Sequence, residues 1–260
     1  MLDVDLQRFD LHKLRLIITG GEAIANSVLL DIQSKLPWVG IINNYGSTEG
    51  GPITTFLTSD KKQEKPGSVG RTAFSVDVRI ADDDANELPA GSVGEVLVRS
   101  PFVCRGYWRR PELSATALKK GWWCTGDLGK SDQEGYIWIV GRKKDVIRSA
   151  GENIYPVEIE EVIRELEGVA DVAVVGAPDA HWGETVAAFV VRQPGGLIDE
   201  ATIISHCQQQ LAGFKKPRVV RFVPSLPRTT LNKISKAALR KLLVEEQSAR
   251  EPPTRPYREV

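Results

Sequence analysis

Two different sequence patterns meet at the stretch Gly141-Arg-Lys-Lys-Asp-Val-Ile-Arg-Ser-Ala-Gly-Glu-Asn-Ile-Tyr-Pro156. Before this stretch the chain reads as short strands and turns with one helix near the start, and after it helices alternate with strands. The stretch itself carries three consecutive basic residues, a glycine among small and polar residues, and a proline typical of the first turn of a helix. These features predict a hinge that has a binding site built into it.

The composition is that of an ordinary globular protein, with 260 residues, 42% hydrophobic and 26% charged. This length suits two domains better than a single compact unit. The 34 basic residues balance the 34 acidic ones, which gives no reason to expect nucleic acid or an anionic membrane surface as a partner.

The cysteines and the apolar runs indicate a cytoplasmic location. Cys104, Cys124 and Cys207 form no C-x-x-C pair, so neither a disulfide framework nor a zinc site is expected. No apolar run approaches the roughly 18 residues that would cross a bilayer, and the first residues lack the pattern of a signal peptide.

The segment from about residue 14 to 60 follows the strand–helix–strand order of an α/β sheet. Residues 14–19 predict a short buried strand that ends in the turn Gly20-Gly21, and Ile41-Ile42 begins a second strand. One apolar stripe between them predicts a helix: Ala25, Val28, Leu29, Ile32 and Leu36. Because ligands bind beyond the carboxyl ends of such strands, Glu22 and the loop 45–51 should lie on the same edge.

The segment from about residue 65 to 140 changes to an alternating pattern. Residues 76–80, 94–99 and 136–140 read as half-buried strands, and the polar loop 81–91 separates the first two as a hairpin turn would. This pattern predicts a small antiparallel sheet or a distorted barrel.

The last part of the chain reads as a separate α+β domain over residues 144–247. Helices are predicted from Pro156, over about 199–212 and around Leu239, and strands at 172–175, 186–191 and 218–223. Residues 248–260 are polar and proline-bearing, which predicts a disordered tail. The expected domains are therefore 1–143 and 144–247.

Three polar motifs carry residues that could bind a ligand or take part in catalysis, and each also has an ordinary structural interpretation. Tyr45-Gly-Ser-Thr-Glu49 could hold phosphate oxygens and a Mg²⁺ ion, or form a polar turn capped by its own side chains. Asp127, expected in a tight turn after Trp122-Trp, could accept both hydroxyls of a ribose, or could simply be solvated. Lys233, in a loop before a helix, could neutralise developing phosphate charge, or could also be a solvated side chain.

Together, five ordered motifs resemble the adenylate-forming superfamily of acyl-CoA synthetases, peptide-synthetase adenylation domains and luciferases. The motifs are Tyr45-Gly-Ser-Thr-Glu49, Thr125-Gly-Asp127, Gly141-Arg-Lys-Lys-Asp-Val-Ile147, Gly151-Glu-Asn-Ile-Tyr-Pro156 and Pro227-Arg-Thr-Thr-Leu-Asn-Lys233. The resemblance covers about residues 14–243. It implies the end of a large α/β domain with a small β-barrel-like subdomain, followed by a small mobile α+β domain.

The resemblance also implies a two-step reaction. A carboxylic acid attacks ATP to give an acyl-adenylate and pyrophosphate, and the thiol of CoA then displaces AMP. The implied roles are Mg²⁺ binding by Glu49, nucleotide contacts by Tyr45, Gly46, Ser47 and Thr48, adenine-side contacts by Gly20, Gly21 and Glu22, ribose binding by Asp127 with Arg142 beside it, and catalysis by Lys233 together with Glu49.

For the second step the resemblance implies a domain rotation about Lys144. The loop 149–153 then replaces Lys233, and Gly151 leaves room for the pantetheine arm. Lys215, in Phe214-Lys-Lys-Pro217, matches a segment that can approach the CoA phosphates.

Two departures from the family pattern qualify the resemblance. Asn232 stands where glycine is usual before the lysine, although asparagine tolerates the left-handed conformation well. The family's Ser/Thr/Gly-rich phosphate loop is absent from the sequence, which predicts the carboxyl-terminal half of a ligase. Such a chain would be aggregation-prone or would need an amino-terminal half as partner. A non-catalytic nucleotide- or CoA-binding remnant and a peptide-synthetase-type fragment are the alternatives.

Overall fold

The computed structural model describes residues 5–21, 26–62, 64–230 and 232–250. The chain divides into two compact units, Met1–Lys143 and Lys144–Val260. The boundary lies within the basic run Arg142-Lys-Lys144. Glu22, Ala25 and the tail beyond residue 250 lie outside the described residues.

The first unit contains two sheets and three helices within its described part. In chain order its elements are β1 (Leu16–Thr19), α1 (Asn26–Lys35), β2 (Gly40–Ser47), β3 (Gly51–Thr58), α2 (Ser59–Lys62), β4 (Arg71–Thr72), β5 (Asp77–Ala81), β6 (Gly94–Arg99), α3 (Pro111–Ala117), β7 (Leu118–Lys119), β8 (Trp122–Ser131) and β9 (Ile137–Arg142).

The first sheet has the strand order β1-β2-β3-β4, in which only β1 and β2 run parallel. The predicted strand–helix–strand order is confirmed. The apolar stripe of α1 also packs as predicted, since Leu29, Ile32 and Leu36 are buried against Val39 and Ile41. This packing holds the helix against one face of the sheet.

Two expectations for this sheet are wrong. β1 is not buried, because Leu16 and Ile18 are 47% and 58% exposed on the face away from α1. Tyr45 and Gly46 are not in a loop, because β2 continues to Ser47 in antiparallel register with β3, where Tyr45 pairs with Thr55. The turn between the strands is therefore shorter than the loop 45–51 that the polar composition predicted.

The second sheet has the order β5-β6-β8-β7, with β9 paired to β8, and all its pairings are antiparallel. The antiparallel prediction for this segment is confirmed. Asp127, however, lies within β8 and not in a turn. The register between β6 and β8 shifts at this point, from Leu97 opposite Cys124 to Glu95 opposite Leu128, which marks a β-bulge.

The second unit has a sheet with helices on both faces. Its elements are β10 (Ile147–Ser149), β11 (Glu152–Ile154), α4 (Pro156–Arg164), β12 (Val169–Asp179), β13 (Gly183–Arg192), α5 (Glu200–Gln210), β14 (Val219–Phe222) and α6 (Lys236–Arg250). The strand order is β11-β10-β13-β12, with β14 beside β13.

Alternating side chains of β12 explain the two faces of this sheet. Val172 and Val174 pack in one cluster with residues of α4 and α5, while Ala173 and Val175 pack in another with residues of α6. Because both faces are covered, the strand reads as a continuous apolar run. The predicted α+β fold class is confirmed. No helix among the described residues is long and apolar enough to cross a bilayer.

Candidate active site

The hairpin between β2 and β3 presents the first polar motif. Its turn is closed by the Ser47 hydroxyl, which accepts a hydrogen bond of 2.9 Å from the Gly50 amide. A Cβ at Gly46 would lie 2.5 Å from the carbonyl oxygens of Gly51 and Pro52, so only glycine fits there. Thr48 is exposed at the tip of this turn.

Glu49, the next residue of this turn, is held by a neighbouring aromatic pair. The Tyr107 hydroxyl donates to Oε1 of Glu49 at 3.1 Å, and the Tyr107 ring lies 5.6 Å from the ring of Trp123. Burial, followed by the Glu49 charge, raises the pKa of Tyr107, which keeps this hydroxyl a donor. The sequence analysis missed Tyr107, whose proximity to Glu49 depends on long-range packing.

Asp127 is a buried carboxylate held from both sides. Its Oδ2 accepts a hydrogen bond of 2.7 Å from the Tyr45 hydroxyl, and its Oδ1 lies 2.6 Å from Nε of Arg142. The Asp127 side chain is 11% exposed, whereas that of Arg142 is 52% exposed. Burial, and then the charge of Asp127, raises the pKa of Tyr45, so this hydroxyl stays protonated as a donor.

The β-bulge of β8 sets the position of Asp127. Within it, the Thr125 hydroxyl donates to the Val96 carbonyl at 2.7 Å and accepts from the Asp127 amide at 3.0 Å. The Gly126 amide donates to the buried carboxylate of Glu95 at 3.1 Å. Glu95 was also missed by the sequence analysis, because its strand pattern shows nothing unusual.

The donor set fits a Mg²⁺ ion only in the presence of a phosphate ligand. Across the described ranges, no three His, Cys, Asp or Glu side chains cluster so that they could hold a metal by themselves. Glu49 offers a single partly buried carboxylate. Mg²⁺ is commonly bound through one or two carboxylates together with substrate phosphates, and this chemistry suits Glu49.

In the second unit, Lys233 ends a short hairpin turn in which Arg228 pairs with Ile234. The Thr229 amide donates to the Lys233 carbonyl at 2.7 Å, and the Lys233 amide to the Thr229 hydroxyl at 3.2 Å. Asn232 has a φ of +63°, which confirms that asparagine takes the left-handed conformation here. The Lys233 side chain is exposed.

Gly151 lies at the tip of the β10–β11 hairpin, where Ser149 pairs with Glu152. Its φ of +85° favours glycine. A Cβ built there would meet none of the described atoms within 4 Å, so the space is open. Lys144 is exposed at the start of the second unit. Lys215 is engaged in an ion pair, with its Nζ 2.7 Å from both carboxylate oxygens of Glu158.

The structure thus joins some of the residues that the sequence analysis selected. Tyr45, Asp127 and Arg142 contact one another, while Glu49 is bound to Tyr107 in the same unit. Gly20 and Gly21 directly follow β1.

Two family models match the chain. The model for AMP-binding enzymes matches residues 2–108, and the model for the AMP-binding enzyme C-terminal domain matches residues 158–233.

Known ligases are similar over most of the chain. Indoleacetate–CoA ligase of Aromatoleum aromaticum is 41% identical over 240 residues, which cover 92% of this chain and 47% of that protein. A long-chain-fatty-acid–CoA ligase of Bacillus subtilis is 37% identical over 247 residues, which cover 94% and 43% of the two chains. The chain therefore spans about half the length of the curated relatives it matches.

Solved structures agree with these matches. ATP-bound MatB of Rhodopseudomonas palustris has a TM-score of 0.81 at 39% identity. The match covers 87% of this chain and 45% of the MatB chain. The amide bond synthetase McbA of Marinactinospora thermotolerans has a TM-score of 0.85 at 36% identity, with 93% and 49% covered. From these matches, the chain belongs to the AMP-binding enzyme family, in the adenylate-forming superfamily of acyl-CoA ligases.

Proposed function

We propose that this chain carries the nucleotide site and the mobile domain of an acyl-CoA ligase. The activity would be the ATP-dependent conversion of a carboxylic acid to an acyl-adenylate, followed by thioester formation with CoA. The observation that carries the proposal is the Asp127 carboxylate, held by Tyr45 and Arg142 in a chain of this family.

The Asp127 carboxylate is suited to binding a ribose. The Tyr45 hydroxyl binds one of its oxygens and Arg142 binds the other, and a carboxylate oxygen has two lone pairs. Asp127 can therefore accept the hydroxyl groups of a ribose while it keeps Tyr45 and Arg142. In this proposal the adenine lies towards Gly20, Gly21 and Glu22. The phosphates lie towards the end of β2 and the turn that follows it, at Gly46, Ser47 and Thr48.

Glu49 would hold Mg²⁺ together with the phosphates of ATP. The ion would neutralise phosphate charge when bound. To become a ligand, the Glu49 carboxylate keeps one oxygen on the Tyr107 hydroxyl and offers the other, which leaves its orientation fixed.

Lys233 would act in the first step. A substrate carboxylate oxygen attacks the α-phosphorus of ATP, and the bond to the pyrophosphate oxygen breaks. An exposed ammonium on a hairpin braced by its own hydrogen bonds can approach both the carboxylate and the phosphate. Placing a positive charge where negative charge develops contributes about 3 kcal/mol to lowering such a barrier.

The second step would use the loop at Gly151. The CoA sulfur attacks the acyl carbonyl carbon, and the carbon–oxygen bond to AMP breaks. Open space around Gly151 supports passage of the pantetheine arm. Lys215 would bind a CoA phosphate only if that phosphate competes with Glu158 for its ammonium group.

The activity would also need a further segment that supplies the phosphate loop and most of the acyl pocket. The exposed apolar residues Leu16 and Ile18 on β1 support such a segment, because an uncovered apolar strand face favours docking of another element. The relatives act on different acids by name, indoleacetate and long-chain fatty acids, so the proposal extends only to carboxylic acids as a class.

ATP–pyrophosphate exchange tests this function. We expect exchange when the chain is combined with the amino-terminal part of a long-chain-fatty-acid–CoA ligase and offered a panel of acids, including fatty acids and indoleacetate. Lys233→Ala should abolish exchange, whereas Lys241→Ala, at an exposed lysine of α6, should not. Full exchange by Lys233→Ala would contradict the assigned role, and exchange by the chain alone would remove the need for a second segment.

An amine acceptor is a second candidate for the later step, because the amide bond synthetase McbA is among the similar structures. Release of AMP with CoA but not with simple amines would favour the ligase. Nucleotide binding without exchange under any condition would favour a non-catalytic protein.

A further inference from the structure

Glu95 is a buried carboxylate whose two oxygens bind different parts of the first unit. The residue is 7% exposed and lies on β6. Its Oε1 accepts the Gly126 amide at 3.1 Å, and its Oε2 lies 2.8 Å from Nζ of Lys143. One side chain thus joins the bulge that carries Asp127 to the last residue of the first unit.

Lys143 is held more firmly than a surface lysine usually is. Its Nζ also lies 2.6 Å from Oδ1 of Asp83 on the loop after β5. Asp83, and then Glu95, raise the pKa of Lys143, so the ammonium stays charged. Solvent screens the contact to Asp83, since that side chain is 86% exposed. The contact to Glu95 is different, because a carboxylate buried to this degree is costly to leave without its cation.

Asp145, which follows Lys144, is held by a contact within the second unit. Oδ1 of the buried Asp145 lies 2.7 Å from the guanidinium of Arg240 on α6. The basic run is therefore anchored at Lys143 by one unit and at Asp145 by the other. Lys144 lies between the two anchors with its side chain exposed.

We propose that Glu95 is a positioning residue that couples the Asp127 bulge to the chain at Lys143 and leaves Lys144 as the point of rotation. The nucleotide half of this inference rests on the proposed function, whereas the coupling between the bulge and Lys143 does not. Binding of a nucleotide at Asp127 would stabilise the bulge, and Glu95 would pass that order to Lys143.

A positioning role and a purely structural ion pair have different consequences. A structural pair contributes to the stability of the whole unit, so its loss would raise amide exchange everywhere or nowhere. A positioning pair acts on two segments that are far apart in sequence, 124–128 and 143–146, which Glu95 joins. Arg142 is left out of the second segment, because it contacts Asp127 directly across β8 and β9. Local amide exchange therefore distinguishes the two roles.

The test compares hydrogen exchange in the full chain with that in Lys143→Met and Glu95→Gln. We expect Lys143→Met to raise exchange about tenfold in residues 143–146, and severalfold in 124–128, where Glu95 has lost its cation. Glu95→Gln keeps the shape of the side chain and should affect the same two segments. The double variant should be no worse than Lys143→Met alone, because both changes break the contact between Glu95 and Lys143. Lys143→Arg should restore most of the protection.

Lys65→Met is the matched control. Lys65 also binds two carboxylates of the first unit, Asp132 and Glu134, but at the turn between β8 and β9, the far end of that hairpin from Asp127. The Lys65→Met substitution should leave amide exchange in both segments unchanged. The proposal is overturned if Lys143→Met raises exchange in 143–146 alone, or if its effect matches that of Lys65→Met.

AMP titration separates this proposal from the proposed function. We expect AMP to protect 124–128 in the full chain, and to protect 143–146 more strongly when Glu95 and Lys143 are both present than in either variant. If the variants lose the coupling between the two segments but AMP changes exchange in no protein, the coupling through Glu95 is supported and the nucleotide site is rejected. AMP binding that depends on Asp127 but protects 143–146 equally in the wild type and in Glu95→Gln would support the nucleotide site and reject the coupling through Glu95.

Discussion

The carboxylate of Asp127 is bound from two sides, by the Tyr45 hydroxyl of one sheet and the Arg142 guanidinium of the other. Each partner restricts one oxygen, so the carboxylate has a single orientation before any ligand arrives. Preorganisation of this kind lowers the entropic cost of binding. The proposed ribose site therefore depends on residues more than 80 positions apart in the chain.

Tyr45→Phe tests this orientation at the level of one hydroxyl. We expect the affinity for AMP to fall about tenfold, as for the loss of one hydrogen bond to a charged group. Isothermal titration with AMP measures the change, and Tyr136→Phe, at a tyrosine that stacks under Lys65 instead, is the control. Unchanged affinity in Tyr45→Phe would mean that Arg142 and the bulge orient Asp127 without help.

Single residues also show where sequence reasoning ended. The motif match selected Tyr45, Asp127 and Arg142, and the structure places them in contact. It did not select Tyr107 or Glu95, because a tyrosine or a glutamate in a short strand pattern is ordinary. Their contacts arise only when distant strands pair.

At the scale of elements, β1 is the edge strand of the first sheet within the described residues, and it carries an apolar face. It pairs with β2 on one side, and α1 covers the face that carries Ile17. Leu16 and Ile18 point to the other face and are largely exposed. Uncovered edges and apolar faces of this kind promote association between chains.

Ile18→Lys should therefore reduce self-association of the isolated chain and leave its stability nearly unchanged. Ile17→Lys is the matched comparison, because the same charge placed against α1 should lower the free energy of unfolding by about 2 kcal/mol. Light scattering and urea unfolding measure the two effects. A wild-type chain that is monomeric at high concentration and unfolds cooperatively would show that β1 needs no cover.

Helix α5 provides a second element whose behaviour depends on burial. Its Cys207 packs in the core between the helix and the sheet, and burial raises the pKa of this thiol to about 11. The unfolded chain should titrate near the ordinary value of about 8.5. The Cys207 thiol therefore keeps its proton to a higher pH in the folded chain than in the unfolded chain. The stabilisation that the buried, protonated thiol contributes is fully present below pH about 8.5 and is lost as the pH rises towards 11.

Cys207→Ala should remove this part of the pH dependence. We expect the unfolding free energy of the wild type to fall between pH 8.5 and 11 by on the order of 3 kcal/mol more than that of the variant. Urea unfolding at a series of pH values measures the difference. Cys104→Ala, at a less buried cysteine, should follow the wild type. If the unfolding free energies of the wild type and Cys207→Ala change in parallel with pH, the thiol has the same pKa in the folded and the unfolded chain, which would contradict the prediction.

At the scale of the whole molecule, the two compact units meet in sequence at Lys143 and Lys144. Each side of this boundary is fixed by ion pairs of its own unit, to Glu95 and Asp83 on one side and to Arg240 on the other. In the proposed reaction the second unit must present first Lys233 and then the loop at Gly151. Rotation about Lys144 would allow both.

Lys144→Pro tests the pivot, because proline fixes φ near −65° and prevents one of the two rotations. In the complemented enzyme we expect ATP–pyrophosphate exchange to persist and thioester formation to fall at least about tenfold. Lys144→Ala keeps the backbone free and should retain both half-reactions, which controls for loss of the charge. Equal loss of both half-reactions in Lys144→Pro would contradict the pivot assignment.

By itself, the sequence determined the fold class, the order of the elements and the family. These follow from local periodicity and from ordered motifs, which survive without knowledge of distant contacts. It also predicted the left-handed turn at Asn232, since that is a property of one residue type. It misplaced Asp127 and Tyr45 in turns, because polar and glycine-rich composition is typical of turns as well as of bulged strands.

Only the tertiary structure decided which side chains form the candidate site. The bulge at Asp127 exists because β6 and β8 pair with a shifted register, and a shift in pairing leaves no mark in either strand alone. The Glu95–Lys143 contact and the Tyr107–Glu49 contact likewise join residues 48 and 58 positions apart. Such contacts depend on the free energy of the whole packed unit, which no local stretch of sequence contains.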